Sequence, residues 1–283
     1  MGLQVEEGNF RGYDGAELFF QTWTPQVNTQ SVILGIHGLG EHGDSYRLLA
    51  EGLQNSPYQL IFSDLRGHGR SSGKRGVATI DEFVRDIKMF QVVVKEKFPG
   101  LPFFFLAHSM GGLVLLKLLI RHGDLGCKGV VLSSPLLGVA VAVPAIKKNS
   151  ARLLAKITPH LTMFNEINPE HLTHNKKVIE YNETDHWRHD RISPVLFVEM
   201  LRNIDYVFAR SDKITSPILL QQAGDDLIVS QPKGAQLFEL LKIKDKQRIV
   251  YDGYYHEIYN EIWREKPIGD LINWLNAHGG IKS

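Results

Sequence analysis

The sequence predicts an α/β fold: a mostly parallel central sheet with helices on both faces, interrupted by an inserted helical cap. Two observations carry this expectation. Short, continuous apolar runs alternate with amphipathic stretches of helical period, the pattern of strands buried on both faces. That alternation stops at Pro135 and resumes only after Lys213.

In chain order, Tyr13-Asp14-Gly15 is turn chemistry. With the aromatic-rich run Glu17 to Trp23 it predicts a β-hairpin ahead of the parallel strands. Ser31 to His37 (SVILGIH), Gln59 to Ser63 (QLIFS), Pro102 to His108 (PFFFLAH) and Lys128 to Ser134 (KGVVLSS) read as strands. Helical patterns fill the intervals at Tyr46 to Leu53, Ile80 to Phe98 and Met110 to Arg121. From 135 to 213 the chain reads as helical and irregular, with prolines at 135, 144, 159, 169 and 194. Beyond it come a strand at Pro217 to Ala223, a helix at Gln231 to Leu241, a strand at Gln247 to Asp252 and a last helix at Trp263 to Trp274. Residues 1–134 and 214–283 are therefore expected to form one core, with 135–213 a cap of about eighty residues, an ordinary lobe size.

Composition narrows the class. The chain's 283 residues suffice for one such domain with an insertion. With 43% hydrophobic and 22% charged residues and a formal net charge of +1, it lacks the basic excess of a nucleic-acid partner. A single cysteine, Cys127, excludes an internal disulfide and fits a reducing compartment. The opening MGLQVEEGNF has no signal-peptide pattern, and with Glu7 following, Met1-Gly2 is a poor myristoylation signal. Apolar runs such as Leu136 to Ile146 fall short of the roughly 20 residues of a spanning helix. The expectation is a cytoplasmic protein, with any membrane contact peripheral.

Ala107-His108-Ser109-Met110-Gly111-Gly112 lies where PFFFLAH gives way to LVLLKLLIRHG. A strand, a sharp turn of small residues and a helix start form the setting of a nucleophile elbow. Such a turn forces positive φ on its central serine, exposes Oγ at the sheet's carboxyl edge and sets a helix N-terminus beneath it. Ala107 stands where glycine is the usual residue. A serine that only caps the helix is the other reading, and the neighbouring strand, helix and small residues argue against it.

AHSMGG, His37-Gly38-Leu39-Gly40-Glu41-His42-Gly43 and Asp64-Leu65-Arg66-Gly67-His68-Gly69-Arg70-Ser71 together resemble the monoacylglycerol lipase and lysophospholipase branch of the α/β-hydrolases, the serine aminopeptidase S33 group. The resemblance covers nearly the whole core, from about Phe10 to Trp274, and is weaker through the cap. It implies the α/β-hydrolase fold and the chain order nucleophile, acid, histidine. Ser109 is then the nucleophile. His256, on the loop after QRIVYDG, is its base, whereas His278 falls in the tail beyond the last helix. Asp225 and Asp226 both follow PILLQQAG. The family places its acid three residues before a hydrophobic position, which matches Asp226 with Val229. Asp64 is then structural, folding the Arg66–Gly69 loop. The resemblance also implies an oxyanion hole from the backbone N–H groups of Leu39 and Met110, makes His37 structural, and gives Glu41 and His42 the task of locking that loop. Relatives often carry arginine just before the tyrosine of this segment; here Ser45 precedes Tyr46.

Within the cap, Leu136 to Leu161 holds no acidic residue but has Lys147, Lys148, Arg152 and Lys156. Ile146, Leu153, Leu154 and Ile157 recur at helical spacing, with most of the basic residues opposite. Two readings stand: a lid helix whose apolar stripe packs on the core, or a helix that lies on an anionic membrane surface. Leu136, Val139 and Val143, with Met163 and Phe164, are candidates to line an acyl tunnel. His171 with His174, and His186 with His189, lack a third ligand at metal spacing, so no metal and no cofactor are expected.

The function implied is a serine carboxylester hydrolase acting on monoacylglycerols or lysophospholipids through an acyl-enzyme, its partner a lipid-like ester. Two rivals are carried forward. An aminopeptidase or amidase would want an acidic anchor for a free amine, with Glu166, Glu170, Glu180 and Glu183 as candidates. A binding protein that lost the chemistry would usually lack a triad member, and here all three positions are filled.

Overall fold

A computed structural model describes residues 3–141 and 143–280. The chain begins β1 (Gln4–Arg11), β2 (Glu17–Thr24), β3 (Ser31–Ile36), α1 (Arg47–Leu53), β4 (Tyr58–Ser63), α2 (Ile80–Lys97), β5 (Phe103–His108), α3 (Met110–His122) and β6 (Val130–Ser133). The segment 135–213 carries α4 (Ala145–Ile157), β7 (Met163–Phe164), α5 (Lys176–Thr184), β8 (Arg191–Ile192) and α6 (Pro194–Phe208). The chain closes with β9 (Ile218–Ala223), α7 (Gln231–Leu240), β10 (Lys246–Tyr251) and α8 (Glu265–Gly279).

Eight strands form one sheet in the order β1-β2-β4-β3-β5-β6-β9-β10. β1 and β2 are the antiparallel hairpin, β2 runs antiparallel to β4, and every later pairing is parallel. This is the α/β-hydrolase fold. The central strands β3, β4, β5, β6 and β9 are buried along their whole length, so a continuous apolar run rather than alternation marks them. One face carries Leu49 and Leu53 of α1 and Ile268, Leu271 and Trp274 of α8. The other carries α2, α3 and Leu237 of α7. Leu196, Met200 and Val207 of α6 join that second cluster, so this helix of the 135–213 segment packs directly on the core.

Local chemistry explains the main boundaries. Thr79 caps α2 in a capping box with Glu82. Gly35 in β3 leaves room for Phe62, whose ring a Cβ would meet at 2.2 Å. Phe62 in turn stacks on Tyr46 with centroids 4.0 Å apart. Lys117, buried in α3, is neutralised by Asp81 at 2.5 Å. Among the described residues no helix is long and apolar enough to cross a membrane.

Two elements differ from expectation. The strand pair β7–β8 lies inside the segment read as helical and irregular, because two residues per strand are too few to carry a period. The last helix starts two residues later and runs on to Gly279, placing His278 in its final turn. There Nδ1 donates to Trp274 O (2.7 Å) and Gly280, left-handed, ends the helix.

Candidate active site

Parallel strands deliver their carboxyl ends to one edge. Ile36 pairs with Ala107, His108 with Ser133, and Tyr251 with Ala223, so the loops after β3, β5, β9 and β10 emerge side by side. Ser109 sits at the β5–α3 turn with φ 51° and ψ −119°. A side chain tolerates such a conformation only where its surroundings enforce it. Ser109 N donates to Ser133 O (3.1 Å), and Ser109 O accepts from Gly112 N (3.0 Å) and Leu136 N (2.9 Å). The helix that follows is pressed against β3: a Cβ on Gly111 would lie 2.3 Å from Ile36 O and 2.5 Å from His37 O.

Beyond β10, His256 is buried, and its Nδ1 bonds Asp226 Oδ2 at 2.8 Å. Asp226 Oδ1 accepts from Ile228 N and Val229 N, both at 2.9 Å, which fixes the carboxylate plane. Asp225 is exposed and gives its backbone N–H to Tyr254 O (3.1 Å). Burial alone would push the His256 imidazole down. The Asp226 charge and hydrogen bond, with Glu257 and Glu41 behind them, win and hold it above its ordinary 6.5. Asp226 is held below its usual range, the His256 charge outweighing burial. Ser109 and His256 line the same cavity, without a direct hydrogen bond between them.

The loop after β3 is built tightly. Glu41, buried, accepts from Gly38 N (2.5 Å) and Tyr46 Oη (2.8 Å). His37 Nε2 accepts from Leu65 N (2.8 Å), so Nδ1 carries the proton and donates to Gly38 O (2.8 Å). Burial drives the His37 imidazole down to about 3, so its role is structural. Asp64 accepts from Gly43 N and Arg70 N, both at 2.8 Å, tying this loop to the next. A Cβ on Gly38 would stand 3.1 Å from Ser109 Cβ, so the loop lies against the serine. The N–H groups of Leu39 and Met110 carry no hydrogen bond among the described residues. The 135–213 segment clamps the loop from above, through His42 Nε2–Asp185 Oδ2 (2.7 Å) and His189 N donating to Gly40 O (2.9 Å).

Two cavities meet at Ser109 and Leu39. One, of about 370 Å³, is the more polar of the two and is lined by Glu41, Arg188, His189, His256 and Glu257 among others. The other, of about 450 Å³, is largely apolar and is lined by Met110, Leu136, Val139, Val143, Met163, Phe164, Phe197 and Met200 among others.

The profile of the family described as serine aminopeptidase, S33, matches residues 27–262. The chain belongs to that family. A monoglyceride lipase of Homo sapiens is 32% identical over 88% of this chain and 82% of its own length. Phospholipase YtpA of Bacillus subtilis is 30% identical over 86% of this chain and 94% of its own. The chain spans only 28% of an uncharacterized abhydrolase domain-containing protein of Dictyostelium discoideum, with 29% identity. A crystal structure of a Paleococcus ferrophilus monoacylglycerol lipase superposes with a TM-score of 0.81 at 30% identity, covering 98% of this chain and 100% of that one. The chain is a carboxylic ester hydrolase.

For this S33 hydrolase, the five residues of the 135–213 segment singled out by sequence all reach the apolar cavity, three from before α4 and two from β7. Of the acidic anchors considered for an amine, Glu183 lines the polar cavity, Glu166 lines the apolar one and pairs with Lys147 (2.5 Å), and Glu170 and Glu180 line neither. The histidines weighed as metal ligands separate. His171 lines the apolar cavity, His174 bonds Glu261 (2.9 Å), His186 packs on Trp187, and His189 lines the polar cavity. Sequence reasoning missed Arg188 and Glu257. The dense cluster Asp185-His186-Trp187-Arg188-His189 was the available signal. Phe197 and Met200 were missed because a cavity-lining stripe has the same period as a core stripe.

The stripe of the basic helix splits, part of it turned inward and part outward. In α4, Ile146, Leu153 and Ile157 are 77%, 59% and 65% exposed and face outward, while Ala151 and Leu154 line the apolar cavity. The stripe is wider than one contact can cover, so it divides between cavity and solvent.

Proposed function

We propose that this hydrolase cleaves long-chain acyl esters of small alcohols, monoacylglycerols or lysophospholipids, with Ser109, His256 and Asp226 as its triad. The observation that carries the reading is the position of Ser109 at the junction of an apolar and a polar cavity: an amphiphilic ester laid across it places its acyl chain in one and its alcohol in the other. Ser109 Oγ attacks the ester carbonyl as its proton passes to His256. Asp226 holds the imidazole in the tautomer that accepts at Nε2. The oxyanion is met by the N–H groups of Leu39 and Met110, each such donor contributing about 2.7–4 kcal/mol elsewhere. Collapse breaks the C–O bond, His256 returns the proton to the departing alcohol, and water then cleaves the acyl-enzyme by the same steps. In this reading residues 135–213 act as the cap that encloses the acyl chain above the core of 1–134 and 214–283.

A series of p-nitrophenyl esters tests the acyl assignment. At about 0.8 kcal/mol per buried methylene, kcat/KM is expected to rise about fourfold per added CH₂ until the cavity is full. A flat or falling series beyond acetate would refute the acyl assignment.

The outer surface around the mouth of the apolar cavity supports contact with a lipid layer. Val141, Phe164 and Leu227 are exposed at the rim of the apolar cavity, beside the outward Ile146, Leu153 and Ile157. Changing Ile146, Leu153 and Ile157 to serine is expected to lower both vesicle co-sedimentation and hydrolysis of vesicle-borne ester about tenfold or more, with a soluble butyrate ester little affected. Undiminished vesicle binding by the triple variant would eliminate this surface.

A further inference from the structure

The loop that carries His256 has no helix or strand of its own: β10 ends at Tyr251 and α8 begins at Glu265. Asp226 holds the ring, but the backbone beneath it needs other support. Both chain neighbours of His256 are tied into the 135–213 segment. On one side, Glu257 N donates to Leu172 O (2.8 Å), and the Glu257 carboxylate takes Arg188 Nη2 (3.2 Å). On the other, Tyr255 stacks on His174 with centroids 3.8 Å apart and gives its N–H to Glu261 Oε1 (2.9 Å). Glu261 is wholly buried, and the same oxygen bonds His174 Nδ1 (2.9 Å). Its other oxygen, Oε2, accepts from His174 N (3.1 Å) and Ile262 N (3.2 Å). Four donors thus meet the roughly four lone-pair sites of one carboxylate. Thr173 Oγ1 adds a bond to Asn260 O (3.0 Å). A buried carboxylate is costly unless its lone pairs are met. Here one is placed where it joins the residue before the base to the inserted segment.

We propose that Glu261 is a positioning residue for the catalytic base: through Tyr255 and His174 it makes the placement of His256 depend on the 135–213 segment as well as on Asp226. The proposal rests on the ester-hydrolase reading above, with His256 as base. It gives the segment a second task beside enclosing the acyl chain. Neither Glu261 nor His174 lines either cavity, so a defect in their pairing reaches the chemistry only through the imidazole. A misplacement of about 1 Å in such a group can cost on the order of 10²-fold in rate.

The test uses the full chain, p-nitrophenyl butyrate across the pH range of His256, and a fluorophosphonate titration that counts competent active sites. Glu261→Gln keeps the side chain's size, but its amide NH₂ must face backbone donors in either orientation: Tyr255 N, or His174 N and Ile262 N. kcat per titrated site is expected to fall about 10- to 100-fold, with KM little changed. Asp226, Glu257, Glu41 and the neutral His108 surround the imidazole, and among them the Asp226 contact chiefly raises it. As that contact loosens, the rise of kcat/KM should move to lower pH, and the downfield proton resonance of His256 Nδ1–H should broaden or vanish. His174→Phe keeps a ring against Tyr255 and removes the Nδ1 bond, so a loss of about fivefold in kcat with the same direction of pH shift is expected. Unchanged per-site kcat and pH midpoint in Glu261→Gln overturn the proposal. So does a fall confined to the number of titratable sites, which makes Glu261 merely structural. An unaltered His174→Phe protein overturns the link to the 135–213 segment, and that variant decides alone if Glu261→Gln does not fold. If the unmodified chain leaves p-nitrophenyl butyrate untouched, the ester-hydrolase reading fails first and takes this proposal with it.

Discussion

Ser109→Ala and His256→Ala are each expected to lower kcat for ester hydrolysis on the order of 10⁶-fold, and Asp226→Asn about 10⁴-fold. The double variant Ser109→Ala, His256→Ala should be no worse than either alone, because nucleophile and base act as a unit. Asp226→Asn keeps an acceptor for Ile228 N and Val229 N but turns an amide N–H toward His256 Nδ1, which imposes the wrong tautomer. The pH profile carries a second signature. His256 titrates above its ordinary 6.5 and works as a base only when neutral, so kcat/KM should rise with pH through a value above 6.5. Asp226→Asn removes the main charge holding it there, so the rise should move to lower pH. Asp225→Asn, whose carboxylate is at the surface, should change neither rate nor profile. Steady-state kinetics with p-nitrophenyl butyrate between pH 5 and 9 checks all of these. Near-full activity in Asp226→Asn with loss in Asp225→Asn would show that the acid is misassigned.

Gly111→Ala is the expected large effect of a single methyl. Its Cβ would stand 2.3 Å from Ile36 O and 2.5 Å from His37 O, and both obstacles are backbone, which no rotamer change can clear. Either α3 lifts from β3 or the loop bearing Leu39 moves away from Ser109. Overpacking of this kind costs about 1–3 kcal/mol of stability. Displacing one oxyanion donor costs about 10²–10³ in kcat. Gly269→Ala is the control: nothing lies within 4 Å of its Cβ on α8, so it should leave activity alone and match or raise the melting temperature. A Gly111→Ala protein with unchanged melting temperature and kcat would mean that the elbow is not held against the oxyanion loop as described.

Fold and elbow turn were legible in the sequence because their signals are local. SVILGI, QLIFS and FFFLAH are short runs dominated by apolar β-branched and aromatic residues, the composition and length of a strand covered on both faces. The elbow is legible for the same reason: strand, Ser109 and helix are contiguous, and Gly111-Gly112 records in sequence the closeness of β3 and Pro135 in space.

Other features depend on atoms that approach across long stretches of chain, and no local pattern encodes them. Asp225 and Asp226 are chemically alike, and only the family spacing to Val229 points to the second; the twist of one loop turns Asp226 to His256 at 2.8 Å and leaves its neighbour in solvent. The stripe of α4 reads as a single apolar face, yet packing beside α6 turns Ala151 and Leu154 toward the cavity and Ile146, Leu153 and Ile157 toward solvent. Arg188 sits among charged and aromatic residues in a segment without clear period. What gives it meaning is Ser45, 143 positions earlier, and Glu257, 69 positions later. The sequence by itself determined the α/β scaffold and the strand–Ser109–helix turn, because backbone periodicity and the sterics of one turn suffice for those. The tertiary structure alone decided where the apolar and polar cavities meet and which cation looks into the second of them. Those are set by the packing of the 135–213 segment onto loops distant in sequence, where burial and pairing, not propensity, choose each side chain's partner.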